Sequence, residues 1–418
     1  MSVIRFPSGE SVLVIEEVRS WIALRHAVAT FLDSARLPND RSARILLKPN
    51  LNNDLVALTG NATDLRLLRV VLEALQARGY YNLTVADGPN FGIRRKRINV
   101  LHRLAVDRLA ALYGAQVRDL NDDEPHLMSL VRGRQTGIAA TWLEADFILN
   151  LAKTKTHAEA GMSLACKNLI GCAVAGYKKH VHDDLPQAIV RLARLLPAHV
   201  NVVDGLVAME GNGPGDGTPR ELGLLFASRN PFLLDAVVAQ WVGLGARALP
   251  YLAVTRAEGV LSDEDWGVVT ALESRATLEP APRPRWLTRI LTRNAFSGLR
   301  DAVRPFFDNR PVRQLLQRAH LVQDIYEAEE TQVTLKLRHD VGVARLSAYC
   351  PMGLDIATFR FDPVEPRCIR CLYCYWLDRD GAIELQGELG YLTTHLRRYR
   401  TLVQTRVGNG WEAGPCAS

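Results

Sequence analysis

The chain has 418 residues, 48% hydrophobic and 23% charged, the composition of an ordinary soluble globular protein with room for two or three domains. Its net charge of +6 and pI near 9.0 admit acidic small molecules, nucleic acid or anionic lipid as partners and select none of them. No run of about 18 uncharged apolar residues is present to cross a membrane. Residues 1–10 carry neither a basic n-region nor an apolar h-region, so a cytoplasmic protein is expected.

Taken in order, residues 44–48 read as a short apolar strand ended by Pro49. Asn61, Thr63 and Asp64 offer caps for an amphipathic helix over 65–78, stopped by Gly79. Residues 82–86 form the next strand, with Asp87-Gly-Pro at its end. A helix over 100–113 and strands over 116–120 and 146–151 follow. Helices are predicted over 161–175 and 185–196, and a strand over 200–203 ends at Asp204-Gly. A strand over 222–227 leads to a helix over 231–242 with proline in its first turn. Strands separated by helices imply βαβ units: an α/β fold with a mostly parallel sheet and helices on both faces. Residues 1–272 are assigned to this domain, 273–330 to a helical linker rich in proline and arginine, and 331–418 to a C-terminal strand region with a cysteine cluster.

Lys48, Asp87, Lys153 and Asp204 each close a predicted strand, at the edge where open α/β sheets bind ligands. Any one of them has a plainer alternative as a helix cap or turn residue. Lys153-x-Lys155-x-His157 directly follows the buried run at 147–151, and the predicted helix after it carries Lys167-Asn168. Cations gathered where a strand ends and a helix begins form an anion site, since the helix terminus adds free N–H groups and partial positive charge. The expected ligand is a small anionic substrate, a carboxylate or phosphate, held by Lys48, Asn50, Asp87, Lys153, Lys155, Lys167, Asn168 and Asn212. His157 is the proton-transfer candidate, because histidine alone titrates near neutrality without help. Asp87, Asp204 or Glu210 orients it or acts as partner base. The glycine-rich stretch from Asp204 to Pro219 is neither a P-loop nor a dinucleotide fingerprint. It reads as a loop that brings Glu210 and Asn212 to the pocket, or as a structural Ω-loop.

Residues 279–286 form a proline-rich hinge. Arginines then alternate with Trp286, Ile290, Phe296 and Phe306 through residue 318. Such a basic amphipathic segment can lie on an anionic membrane or grip nucleic acid; the preferred reading is a helical linker with its apolar face on its own domain.

Cys368, Cys371 and Cys374 stand at two-residue gaps, three quarters of a bacterial ferredoxin run, and fit a 4Fe–4S cluster. Asp378 occupies the fourth position and Arg379 the place of the usual proline. Three readings compete for the fourth iron: Asp378, Cys350 from upstream, or an open iron acting as a Lewis acid. A zinc ion on the three thiolates plus Cys350 is the lesser metal alternative. Cys166 and Cys172 read as core residues.

Several motifs occur in order: Lys48-Pro-Asn50, Asp87-Gly-Pro, Asn150-Leu-Ala-Lys153-x-Lys155-Thr-His157, Lys167-Asn168-Leu-x-Gly171, Asp204-Gly, Glu210-Gly-Asn-Gly-Pro214 and Ser228-x-x-Pro231-x-x-x-Asp235-Ala. Together they resemble the family called domain of unknown function 362 over residues 44–262. Many members look like fusions with a C-terminal ferredoxin-type segment, matched here by residues 368–383. The family's fold is also distantly similar to nickel-pincer lactate racemases. Two departures stand out: the missing fourth cysteine, and Thr63-Asp64-Leu65 where the family has Thr-x-Pro. The resemblance implies a fold and a site more than a chemistry. The resulting expectation is an iron–sulfur redox or Lewis-acid enzyme acting on a small anion, with an electron-transfer partner. A metal or cofactor carrier without turnover, and a nucleic-acid or membrane-surface binder, are the alternatives.

Overall fold

Continuously apolar strands are hidden only when both faces of their sheet are covered. In the computed structural model, which describes residues 1–90, 98–282, 311, 334–358, 367–386 and 393–412, that requirement sets the architecture. One sheet runs in the order β1 (Ser2–Arg5), β2 (Ser11–Ile15), β11 (Thr218–Ser228), β10 (Val200–Glu210), β8 (Phe147–His157), β3 (Ile45–Pro49), β4 (Leu83–Asp87), β5 (Gln116–Asp119), with β9 (Gly161–Ser163) beside β8. The five strands from β10 to β5 are mutually parallel, while β11, β2 and β1 extend the sheet antiparallel. Alternation along β3 sends Ile45 and Leu47 into one core and Leu46 into the other. The first core takes up helices Trp21–Ser34 and Leu65–Ala77, the second takes up Leu185–Leu195 and Pro231–Trp241. The chain is thus an α/β protein with a mostly parallel central sheet and helices on both faces. A separate hairpin, β6 (Pro125–Ser129) with β7 (Gln135–Ala139), was not anticipated. Nor were β1, β2 and the Trp21–Ser34 helix.

Several elements differ from expectation for identifiable reasons. β8 does not stop at Leu151; it continues, wholly buried, through Lys153 and Lys155 to His157. Lysines ordinarily leave a strand for water, but these ammoniums have internal partners. β10 likewise continues past Asp204, and the glycine-rich stretch is the tip of an antiparallel β10–β11 hairpin. The helix expected over 161–175 is replaced by β9, a single turn at Ala165–Asn168 and a 3₁₀ turn at Leu169–Cys172. Its small residues serve close packing instead: a Cβ on Gly161 would collide with the Ala248 carbonyl, and the N–H groups of Ala165 and Cys166 donate to Asp235 (2.8 and 2.9 Å). The helix expected over 100–113 breaks at Ala105, whose φ of 61° is left-handed, into Val100–Arg103 and Val106–Leu112.

The arginine-rich segment at 283–318, apart from Pro311, lies outside the described residues, and so does Cys416. Among the described residues no helix is long and apolar enough to cross a membrane. β12 (Thr334–Leu337) pairs antiparallel with β13 (Ile383–Gln386). Tyr349, Trp376, Tyr399 and Trp411 share the first core with Trp21 and Leu68. Glu221 of β11 clamps the C-terminal segment further, accepting from the Tyr349 hydroxyl and from the N–H groups of Gly408 and Gly410. The cysteine segment therefore packs directly on the face carrying helices Trp21–Ser34 and Leu65–Ala77.

Candidate functional site

Charges on the parallel strands meet in pairs, Lys48 and Asp87 at the ends of β3 and β4 and Lys153 and Asp204 within β8 and β10. Lys48 Nζ donates to Asp87 Oδ1 at 2.6 Å, and Asp87 Oδ2 accepts the Leu51 N–H at 2.7 Å. Lys153 Nζ donates to Asp204 Oδ2 at 2.8 Å; that oxygen also accepts the Asp64 N–H at 2.7 Å. All four side chains are buried. They are engaged with one another as two buried ion pairs. Gly171 completes this corner: a Cβ there would overlap Asp87 Oδ1 and stand 2.7 Å from Lys48 Nζ. Gly171→Ala is expected to destabilise the protein by about 2 kcal/mol or more, since overpacking adds to the disturbance of a buried ion pair. Urea unfolding measures this, and an unchanged midpoint would contradict it.

Lys155 is different. Its Nζ donates to Asn50 Oδ1 (2.8 Å) and to the Asn61 carbonyl (2.7 Å), both uncharged. Burial first, and then the charge of Lys167, hold its ammonium well below the usual lysine value. Lys167 is only part-buried by surface, yet the protein around it pushes it down to about 8, against the pull of Glu159. Lys178, which the sequence reading passed over, donates to Asn121 Oδ1 (2.6 Å) and to the carbonyls of Gly88 (2.7 Å) and Pro89 (3.2 Å); burial pushes it, too, down to about 8. Buried cations facing neutral acceptors are unfavourable unless a counter-charge arrives. The hydrogen bonds of Lys155 and Lys178 go to neutral acceptors alone.

His157 lies beside them. Its Nδ1 accepts the N–H groups of Glu159 (3.1 Å) and Ala160 (3.2 Å). An acceptor at Nδ1 in the neutral ring assigns the proton to Nε2. Burial, then Lys167 and Lys155, keep its pKa well below the ordinary value. The ring of this proton-transfer candidate therefore presents an N–H donor at Nε2, because two backbone donors already occupy Nδ1.

A line of amides positions Lys155. Asn50 Nδ2 donates to Asn168 Oδ1 (2.9 Å), Asn168 to Asn150 (2.8 Å), Asn150 to Asn201 (2.8 Å), and Asn201 to the Arg229 carbonyl (3.2 Å). Each amide accepts from one neighbour and donates to the next, which fixes the orientation of all four. Asn201 had been missed; a buried asparagine in an apolar strand was its only signal.

Glu210 and Asn212 are engaged elsewhere. Glu210 Oε2 accepts the Glu279 N–H at 3.2 Å. Asn212 donates to Asp216 Oδ2 at 3.0 Å, and Asp216 Oδ1 accepts from Arg398 (2.8 Å) and from the Tyr399 hydroxyl. They hold the hairpin tip to residue 279 and to helix Thr393–Arg406.

The second site lies in the C-terminal segment. Cys350, Cys368, Cys371 and Cys374 line one cavity, with Met352, Leu354, Ile356 and Ile369 filling its apolar wall. Arg370 (φ 50°) and Leu372 (φ 65°) are left-handed although neither is glycine. Left-handed residues between right-handed ones turn successive N–H groups to one side, the arrangement that cradles phosphates and iron–sulfur clusters. Backbone N–H groups of Tyr373 and Tyr375 donate to Cys371 and Cys374. Burial, then the neighbouring cysteines, raise the Cys371 and Cys374 thiols well above the usual value, which makes them poor free nucleophiles. Among the described residues no three His, Cys, Asp or Glu side chains form a group that could hold a metal ion; the four cysteines line a common cavity. Tyr373 joins the two sites. Its hydroxyl accepts the Leu65 N–H (3.2 Å) and donates to Oδ1 of Asp64 (3.3 Å), the residue whose own N–H is bound to Asp204.

A mostly parallel sheet with a cationic edge, carrying this succession of motifs, defines the class of the central domain. Residues 45–240 match the family model described as "Domain of unknown function (DUF362)", so the resemblance holds over that stretch. Among curated proteins, the thylakoid-associated protein sll1697 of Synechocystis sp. (strain ATCC 27184 / PCC 6803 / Kazusa) is 28% identical over 279 residues, covering 62% of this chain and 79% of that protein. Among solved structures, the lactate racemase apoprotein from Thermoanaerobacterium thermosaccharolyticum aligns over 50% of this chain and 52% of its own, with 12% identity and a TM-score of 0.33. The chain thus spans about half the length of that protein, and a likeness this slight carries no argument.

Proposed function

We propose that the chain is an iron–sulfur protein whose cluster, gripped by Cys368, Cys371 and Cys374, serves a reaction on a small carboxylate or phosphate bound at the sheet edge. The cysteine hook carries this reading: two non-glycine residues held left-handed within seven positions are a strained arrangement that persists where a bound group repays it. Zinc suits the hook less well, because two successive two-residue gaps fit an iron–sulfur cube better than a four-sulfur zinc site. When bound, the cluster supplies single electrons exchanged with an electron-transfer partner, or a Lewis-acidic iron.

The chain's own side chains do the rest. Lys155, locked by Asn50 and the Asn61 carbonyl, offers an anion its third N–H when protonated. Lys167 adds a second charge, and His157 adds its Nε2–H. The paired Lys48–Asp87 and Lys153–Asp204 fix the strand ends around them. Tyr373 couples the hook to this edge through Asp64.

Protein purified without oxygen is expected to be brown and to hold about four irons and matching sulfide per chain, the content of the cluster type. Colourless protein carrying zinc in place of iron and sulfide would overturn the proposal.

A further inference from the structure

We infer that Cys350 is the fourth ligand of the cluster, so that four thiolates close its coordination; the inference rests on the iron–sulfur reading above. Cys350 lies eighteen residues before the hook, yet it lines the same cavity as Cys368, Cys371 and Cys374. Its own turn is built like the hook. The N–H groups of Leu354 and Met352 donate to its sulfur, and Gly353 between them is left-handed at φ 62°. The two arms are also anchored by one device. The carbonyl following each leading cysteine accepts an arginine from the α/β body: Arg69 to Pro351 at 2.9 Å and Arg108 to Ile369 at 2.7 Å. Two guanidinium groups at the rim suit a site that gathers negative sulfur.

Asp378 has no such freedom. Its carboxylate accepts the N–H groups of Asp380 (3.1 Å), Ala382 (3.1 Å) and Ile383 (2.9 Å), closing the turn that enters β13. It is buried and absent from the cysteine cavity wall. A carboxylate already holding three donors is a turn residue, and its place in the ferredoxin register is a positional coincidence. The consequence is chemical. A cluster with four thiolates offers substrate no open iron, so it acts through electrons alone, and the anion at Lys155 is held apart from it.

The test compares full-length wild type, Cys350→Ser, Cys371→Ser and Asp378→Asn, all purified without oxygen, by iron and acid-labile sulfide content and by EPR, with circular dichroism as the folding check. Wild type and Asp378→Asn are expected to hold about four irons. Cys371→Ser should lose the cluster. Cys350→Ser should fall to three irons, with the signal of an oxidised three-iron cluster, or to fewer. The reduced wild-type EPR spectrum should not change on adding excess cyanide or citrate. A Cys350→Ser protein with four irons and the wild-type spectrum overturns the assignment, and so does a wild-type spectrum altered by cyanide or citrate. Folded Asp378→Asn that has lost iron overturns it in favour of Asp378. Wild type lacking iron and sulfide is a separate result that removes the iron–sulfur reading itself.

Discussion

Replacing Arg66 by methionine is expected to destabilise the protein by about 3–5 kcal/mol, the usual effect of leaving one member of a buried ion pair alone. Arg66 and Asp64 are both fully buried, with contacts of 3.0 Å from Nε and 2.7 Å from Nη2. Asp64 also caps helix Leu65–Ala77 through the Arg66 N–H and accepts from Tyr373. The guanidinium lies over the rings of Trp411 (4.1 Å) and Tyr349 (4.8 Å), so its loss also loosens the C-terminal segment. Urea unfolding followed by tryptophan fluorescence measures the change; a loss below about 1 kcal/mol would contradict the argument. The pH dependence has a definite sign. Burial alone would raise the Asp64 carboxyl, but the charge and hydrogen bonds of Arg66 hold it below the usual carboxylate value. In wild type its stabilisation is full above the unfolded value near 3.9 and is lost as pH falls through the lower folded value. Without Arg66, burial raises that carboxyl, and stability should instead decline as pH rises from acid toward neutrality. Arg66→Lys keeps the charge but loses the fork, and should fall between the two.

The second large effect is on anion binding. Lys155→Met should weaken binding of inorganic phosphate or malonate roughly 10- to 150-fold, because a hydrogen bond to a charged group is worth about 1.5–3 kcal/mol. Its effect on stability is mixed: a buried charge disappears, but Asn50 and the Asn61 carbonyl lose their donor. Lys167→Met is the cleaner companion. In wild type Lys167 titrates at about 8, so it is cationic below that pH, and anion affinity should fall as pH rises through 8. In Lys167→Met that step should vanish, affinity at pH 7 should drop, and the ligand-free protein should be no less stable. Calorimetric titrations at pH 6.5 and 9 test this; equal affinity of wild type at both values would sink the anion site as drawn.

Much of the scaffold was legible because it is written locally. The apolar runs at 45–47, 83–85 and 147–151, the Asp64 cap and the proline opening helix Pro231–Trp241 are each fixed by a few adjacent residues and by the 2.0 or 3.6 periodicity of their element. The cysteine hook is local in the same way, and so is the crowd of cations after β8. Local rules failed where a distant partner changed what a residue does. β8 and β10 outran their predicted ends because Asp204, fifty-one positions from Lys153, neutralises that lysine inside the sheet. The small residues after Gly161 read as helix formers until the Ala248 carbonyl and Asp235 were placed against them.

What the sequence determined by itself, then, is the α/β class, the ends of β3 and β4 at Lys48 and Asp87, and the spacing of the three thiols, since period, caps and spacing need no knowledge of what lies across the molecule. Tertiary structure alone decided which lysines are spent in pairs and which face only neutral oxygens. It tied Glu210 to residue 279 and Asn212 to Asp216 at the hairpin tip, and set Cys350 beside the hook. The lysine pairs depend on strand register between residues 39 and 51 positions apart, and Cys350 on the packing of a turn that precedes the hook; a charge's role inside a protein is fixed by its nearest partner, which chain order does not reveal.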